Sequence, residues 1–191
     1  MRNQTERTSI DTLGIVEVKS IAGGVELADA MMKAADVELL RASTICSGRY
    51  LIFVAGDRAA VTSSVTMARE SGRALTGSYI ISNASPELLK VLQRDGIPDK
   101  NQAIGIVECR KVAAGIAAAD SAAKRSAIQL LRLVTGQGIN GKSYFVLSGD
   151  VASVNEATET AAAALGKNLV EAVVIPRPNA SVIRSLVRGV R

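Results

Sequence analysis

The chain has 191 residues, of which 48% are apolar, 21% charged and 3% aromatic, and its 23 basic and 18 acidic residues give a net charge of +5. This length and balance are typical of a globular protein of one large or two small domains. Because the sequence contains no histidine, it excludes Ser-His-Asp triads, Cys-His dyads and His-ligated zinc. The scarcity of aromatic side chains and the dispersed, mild positive charge argue against a nucleic-acid partner. The composition favours a scaffold over an enzyme.

The cellular compartment is indicated by the polar first residues and by the cysteines. The chain opens on MRNQTERTS, and no apolar run reaches the length that a membrane span needs. Two cysteines, Cys46 and Cys109, without an export signal favour a reducing compartment over a disulfide scaffold. We therefore expect a cytoplasmic protein with no membrane partner.

The chain contains two copies of one sequence unit. The segment LGIVEVKSIAGGVELADAMMKAADVELLRAST from Leu13 aligns with IGIVECRKVAAGIAAADSAAKRSAIQLLRLVT from Ile104, an offset of 91 residues. After a two-residue insertion the offset becomes 93. A repeat of this length indicates a duplicated domain. We expect an N-terminal tail over 1–12, a first domain over 13–95, a linker over 96–102 and a second domain over 103–188.

Each copy has the same predicted order of elements. A β-branched strand is followed by a helix with apolar residues at helical spacing, then by two strands, a helix capped by an aspartate, a fourth strand and a short helix. The predicted strands are 14–19, 37–45, 50–55 and 77–81 in the first copy, and 105–110, 128–135, 143–148 and 169–175 in the second. The first helices are predicted over 25–35 and 116–126, and Asp57 and Asp150 as the caps of the second helices. Because strands and helices do not alternate strictly, we expect an α+β fold with a mainly antiparallel four-stranded sheet in each copy.

A phosphate-loop pattern occurs in the second copy. Residues 136–143, GQGINGKS, satisfy both G-x-x-x-x-G-K-[ST] and G-x-G-x-x-G. A phosphate loop works because it leads from a strand into a helix whose first N–H groups hold the anion. The residues that follow Lys142, SYFVLS, indicate a strand instead. The sequence favours a glycine-rich hairpin, with a nucleotide-binding protein that uses Lys142 as the less favoured alternative.

The repeat, the hairpin, the following Gly-Asp pair and Pro176-Arg177-Pro178 resemble the bacterial microcompartment shell-protein domain. The likeness extends from Leu13 to about Val187, and two unpermuted copies in tandem are similar to its trimeric class. In that class three chains form a six-domain, pseudohexagonal tile. The resemblance implies a non-enzymatic structural protein, a homotrimer that packs edge to edge with other shell proteins around a metabolic compartment.

The segment 44–49, TICSGR, is similar to the pore loop of the tandem-domain shell proteins of propanediol-utilisation microcompartments. The resemblance implies that Cys46 of three chains holds a [4Fe–4S] cluster at the three-fold axis, for electron transfer or cluster relay, with an encapsulated redox enzyme as a further partner. One cysteine in one chain is too few, because such clusters need about four ligands. Where that loop has proline after the cysteine, this chain has Ser47. The predicted pore-loop residues are Cys46, Ser47, Gly48, Gly138, Ile139, Asn140 and Gly141.

Two further expectations concern the pore and the edges of the tile. A pore that conducts small polar metabolites, with Cys46 only lining it, is the alternative to the cluster. The resemblance also assigns Lys33, Lys124 and Arg177 to the edge of the tile. Without the family, Lys33 and Lys124 read as i,i+4 partners of Asp29 and Asp120 on solvated helix faces. Cys109 lies within a predicted strand and is expected in the core.

Overall fold

The computed structural model describes residues 12–93 and 102–188. The first repeat contains β1 (Thr12–Val18), α1 (Ile21–Ala34), β2 (Glu38–Ile45), β3 (Arg49–Gly56), α2 (Arg58–Glu70), β4 (Leu75–Ser82) and α3 (Pro86–Gln93). The second repeat contains β5 (Ala103–Cys109), α4 (Val112–Arg125), β6 (Gln129–Thr135), β7 (Ser143–Gly149), α5 (Val151–Leu165), a 3₁₀ turn (Gly166–Asn168), β8 (Leu169–Ile175) and α6 (Ala180–Arg188). The predicted order of elements is therefore confirmed.

Each repeat forms a four-stranded sheet, in the orders β2-β3-β1-β4 and β6-β7-β5-β8. The central strands β1 and β5 pair antiparallel with both of their neighbours. A register shift interrupts both sheets at the same place, after Glu17 in β1 and after Glu108 in β5. The α+β prediction, with an unpermuted antiparallel sheet in each copy, is confirmed.

Local chemistry explains where the helices begin. The side chains of Asp57 and Asp150 accept hydrogen bonds from Ala60 N and Ser153 N, each at 2.9 Å, and so cap α2 and α5 as predicted. Ser20 caps α1 through a bond from Gly23 N at 3.2 Å. The helix α1 thus begins four residues before the predicted start at 25, and its two early glycines lie inside the helix rather than in a loop.

The chain divides into two compact units, and parts of the first repeat group with the second unit. The first unit comprises the described residues 12–44 and 48–83, whereas 45–47 and the described residues from 84 onward form the second. The physical reason is that α3 packs against β6 and α4 of the second repeat. The first unit therefore ends at Asn83, before α3. The predicted tail 1–12 and linker 96–102 lie outside the described residues, apart from Thr12 and Gln102.

Each unit has its own apolar core. In the first, side chains of β1, β3 and the two helices pack together, among them Val16, Met31, Ile52 and Val65, all fully buried. In the second, Ile104, Leu131 and Val146 pack with Ile183 and Val187 of α6. Among the described residues, no helix is long and apolar enough to span a bilayer.

Candidate metal centre and pore loops

Cys46 lies in the tight turn between β2 and β3, which we call the Cys46 turn (residues 46–48). Ser47 and Gly48 have φ values of 69° and 68°. Consecutive positive φ angles are typical of hairpin turns whose twist matches that of the flanking strands. Cys46 is half-buried and Ser47 exposed, so the sequence places one accessible thiol at the tip of a rigid hairpin.

The second-repeat loop, residues 136–141, connects β6 to β7. Four of its residues have positive φ: Gly136, Gly138, Asn140 and Gly141. The loop runs from strand to strand, because β7 begins at Ser143, so the helix N-terminus of a phosphate cradle is missing here. In addition, Lys142 Nζ lies 2.7 Å from Glu108 Oε1. The prediction of a glycine-rich hairpin is confirmed, and the geometry does not support the nucleotide-binding alternative.

Within the second unit, the Cys46 turn is hydrogen-bonded to the second-repeat loop. Gly138 N–H donates to Cys46 Sγ at 3.1 Å, and Cys46 N–H donates to Gly136 O at 3.2 Å. Ser47 Oγ donates to Asn140 Oδ1 at 2.6 Å. Both the backbone and the sulfur of Cys46 are therefore positioned by residues about ninety positions later in the chain.

A buried ion pair supports the base of the Cys46 turn. Arg49, the residue after the turn, donates to Glu17, and both side chains are nearly inaccessible. Thr76 Oγ1 also donates to Glu17 Oε1, at 2.8 Å. The equivalent pair in the second repeat, Lys142 and Glu108, is half-exposed. The first repeat thus holds its turn with a more deeply buried polar group than the second.

Cys46 is the residue that could hold an iron–sulfur cluster, and one chain offers one such thiol. No group of three His, Cys, Asp or Glu side chains that could hold a metal occurs in the part of the chain that the structure describes. Cys46 nevertheless suits a shared cluster, because its sulfur is half-exposed and accepts a backbone N–H, and hydrogen bonds to ligand sulfurs are one of the ways in which proteins tune such clusters. Cys109, by contrast, is fully buried, as predicted, with its sulfur 2.8 Å from Ser143 Oγ.

The predicted edge residues lie apart from the Cys46 turn in sequence and differ between the repeats. Lys33 pairs with Asp29 at 2.6 Å on an exposed helix face, whereas Lys124 pairs with Asp120 at 2.5 Å although Asp120 is buried. The solvated-face interpretation thus holds for the first pair only. Arg177 is exposed. Strand register makes Asn83 its equivalent, since Ile81 and Ile175 pair with Leu13 and Ile104.

Two features of the site were not predicted from the sequence. The Ser47–Asn140 bond and the Gly138 amide on Cys46 join residues of different repeats, and neither shows up as a local pattern. A partial signal was available, since a two-residue insertion lengthens the second-repeat loop and enriches it in glycine. The hydrogen bond from Ser85 N–H to Asp120 Oδ1, at 2.7 Å, was not predicted either, because the sequence does not distinguish Asp120 from its equivalent Asp29.

The sequence and fold of this chain are similar to those of known microcompartment proteins. The model of the BMC domain matches twice, at residues 12–84 and 103–178. The chain is 42% identical over 180 residues to the bacterial microcompartment shell protein PduT of Citrobacter freundii, covering 93% of this chain and 98% of that protein. A solved microcompartment protein from Desulfitobacterium hafniense DCB is 39% identical, with a TM-score of 0.80 over 92% of this chain and 99% of that one.

Other shell-protein relatives match over less than half of this chain. The carboxysome shell protein CcmK1 of Synechocystis is 39% identical over 71 residues, which is 37% of this chain and 64% of that protein. The chain therefore belongs to the bacterial microcompartment (BMC) domain family, with two domains in tandem. It is a microcompartment shell protein, and its relatives are structural proteins rather than enzymes, as the composition and the resemblance led us to expect.

Proposed function

We propose that three copies of this chain form a pseudohexagonal tile of a microcompartment shell, with a [4Fe–4S] cluster held at the centre by one Cys46 from each copy. The observation that carries the proposal is the half-exposed Cys46 sulfur at the tip of a hairpin, fixed by the Gly138 amide at 3.1 Å. Likeness to PduT over nearly the whole length of both chains supports the tile.

The number of ligands follows from the duplication. A six-domain tile contains three Cys46 turns and three second-repeat loops, and the loops carry Ile139 and Asn140 where the turns carry Cys46 and Ser47. Three thiolates leave the cluster with one iron that no cysteine of the tile holds, since such clusters need about four ligands. When bound, the cluster would supply one-electron transfer, or it would itself be relayed across the shell. The residues of this chain hold Cys46 in place: Gly138 and Gly136 bind its sulfur and its amide, and Asn140 fixes the neighbouring Ser47.

The test is anaerobic purification followed by reconstitution with iron and sulfide. We expect a brown protein with broad visible absorption and about four irons per three chains. Cys46→Ser should be colourless, while Cys109→Ser, the matched control for loss of a thiol, should keep the colour because Cys109 is buried in its own strand. Colourless wild-type protein after reconstitution, or colour that survives in Cys46→Ser, would contradict the cluster.

The second candidate is a tile with an open central pore for small polar metabolites. The exposed polar side chains of Ser47 and Asn140 favour it, because they lie next to Cys46 and could line an opening. In that case the wild-type tile contains almost no iron. Cys46→Ser then changes neither the conductance of the tile nor its iron content. For both candidate functions, the proposed partners are other shell proteins along the edges that carry Lys33, Lys124 and Arg177. An encapsulated redox enzyme is a proposed partner only of the tile that holds a cluster.

A further inference from the structure

The second-repeat loop contains a chemically reactive pair of residues. Asn140 is followed by Gly141, and it is the only asparagine of the chain that precedes a glycine. In an Asn-Gly pair the backbone nitrogen of the glycine is able to attack the asparagine carboxamide, because a residue without Cβ leaves that nitrogen unshielded. The glycine-rich segment that does not serve as a phosphate loop therefore has the sequence of a deamidation site.

The structure presents the Asn140 side chain for this reaction. Asn140 is exposed, so that water reaches its carboxamide. Its Oδ1 atom accepts a hydrogen bond from Ser47 Oγ at 2.6 Å. Within residues 12–93 and 102–188, no hydrogen bond involves the Nδ2 atom of Asn140. The contact with Ser47 therefore polarises the carbonyl group and leaves the amino group free to depart.

Ser47 is placed to stabilise the charge that develops in this reaction. Attack on the carboxamide carbon puts a negative charge on Oδ1, and a hydroxyl that already donates to this atom stabilises that charge. The donor lies 93 positions away in the chain and in the Cys46 turn. The first repeat offers a comparison, because Asn83 is also exposed and has a φ of 49°, close to the 52° of Asn140, but is followed by Ala84.

We propose that Asn140 is a site of spontaneous deamidation, which places a carboxylate next to Cys46. The Gly141 nitrogen gives up its proton and bonds to Cγ of Asn140. The bond from Cγ to Nδ2 breaks, and ammonia leaves with that proton. Water then opens the resulting succinimide ring at one of its two carbonyl groups. The product at position 140 is aspartate, or isoaspartate whose main chain runs through Cγ, and no oxidant or reductant is consumed.

The new carboxylate changes the surroundings of the accessible thiol. It keeps the hydrogen bond from Ser47, which becomes charge-assisted. A negative charge close to Cys46 disfavours the thiolate, which is the reactive form of cysteine. Isoaspartate also adds a methylene group to the main chain of the loop that binds Cys46 through Gly136 and Gly138. The reaction requires one chain only and does not depend on a cluster, so it goes beyond the proposed function.

The test is peptide mapping by mass spectrometry after the full chain has been kept in warm, mildly alkaline buffer. Deamidation is detected as the mass change for exchange of an amide NH₂ for OH. We expect acid to accumulate faster at Asn140 than at Asn83, the internal control. Ser47→Ala should slow the reaction at Asn140 about fivefold, the effect of one hydrogen bond of ordinary strength. In urea, where the contact is lost, the wild type and Ser47→Ala should react at the same rate.

A second measurement tests the effect on Cys46. We expect iodoacetamide to alkylate Cys46 more slowly in metal-free Asn140→Asp than in the wild type, and at the wild-type rate in Asn83→Asp, which adds the same charge elsewhere. Equal accumulation of acid at Asn140 and Asn83 would overturn the inference, as would a folded Ser47→Ala variant that reacts as fast as the wild type. Unchanged alkylation in Asn140→Asp would overturn the effect on Cys46. Deamidation at Asn140 in a protein that binds no iron would overturn only the proposed cluster.

Discussion

The backbone N–H of Gly138 donates a hydrogen bond to the Sγ atom of Cys46 at 3.1 Å. The two residues belong to different repeats but to one compact unit. The second-repeat loop, which carries no cysteine, therefore holds the cysteine of the first repeat. The two repeats differ in this respect: one loop presents a thiol, and the other binds it.

The backbone conformation of the Cys46 turn predicts its response to proline. The φ value of 69° at Ser47 lies far from the −65° that a proline ring imposes. We expect Ser47→Pro to lower the free energy of unfolding by more than about 1 kcal/mol. Ser47→Gly should change it little, because relief of the positive φ offsets the lost bond to Asn140. Urea unfolding checks both, and a Ser47→Pro variant as stable as the wild type would contradict this geometry.

The Asn140 side chain should control access to Cys46. Asn140→Gly keeps the positive φ of 52° but removes the side-chain acceptor of the Ser47 hydroxyl. Only the longer bond to the backbone oxygen of residue 140, at 3.2 Å, is left, so the Cys46 turn loosens. We expect faster alkylation of Cys46 by iodoacetamide in metal-free protein, with little background because Cys109 is buried. Asn83→Gly, at a similar φ of 49°, is the control and should leave the rate unchanged. Equal rates in the two variants would show that Asn140 does not restrain the turn.

The two ion pairs at the bases of the loops should differ in their contribution to stability. Arg49→Ala leaves the buried Glu17 carboxylate without its guanidinium, and removal of one partner from a buried pair costs about 3–5 kcal/mol. Lys142→Ala breaks a half-exposed pair, for which about 0–1 kcal/mol is expected. Chemical denaturation of the two variants under the same conditions compares them. Similar losses would mean that Glu17 is less isolated from water than its burial indicates.

The cap of α5 predicts a pH dependence. Hydrogen bonds from Ser153, from its backbone N–H first and its hydroxyl second, lower the pKa of Asp150 below the ordinary value of 3.8. Because the folded pKa is the lower one, the cap stabilises the protein above the unfolded pKa, and the stabilisation is lost as the pH falls through the folded pKa. Asp150→Asn should flatten this acid-side slope. Unfolding temperatures measured between pH 5 and pH 2.5 test it, and an unchanged slope would contradict the assignment.

The elements could be predicted from the sequence more fully than the site. Period-two and helical patterns placed the strands within a few residues, because those patterns report directly on buried faces. The start of α1 was predicted too late, at 25, although Gly23 and Gly24 lie inside the helix. Gly24 is in fact required inside the helix, because a Cβ there would overlap the side chain of Tyr50. A contact between a helix and a strand distant in the sequence cannot be predicted from local sequence patterns.

The site depended on pairings that no periodicity reveals. The resemblance identified Cys46, but the partners of its turn, Gly136, Gly138 and Asn140, lie ninety or more positions away. The difference in exposure between Asp29 and Asp120 could not be predicted either, because the two residues occupy the same place in the repeat. Only the position of α3 against the second repeat makes one of them exposed and the other buried.

Because α3 and residues 45–47 pack with the second unit, the order of the repeats along the chain differs from their grouping in space. Cleavage anywhere between 94 and 101 would yield two fragments that each match a BMC domain. Helix α3 and Cys46 would then be part of the first fragment, although both pack with residues of the second. The fragments should therefore behave as interlocking pieces rather than as independent modules. Co-expressed, they would be expected to reassociate and restore the environment of Cys46, whereas alone the second would expose the apolar surface that Leu88 normally covers.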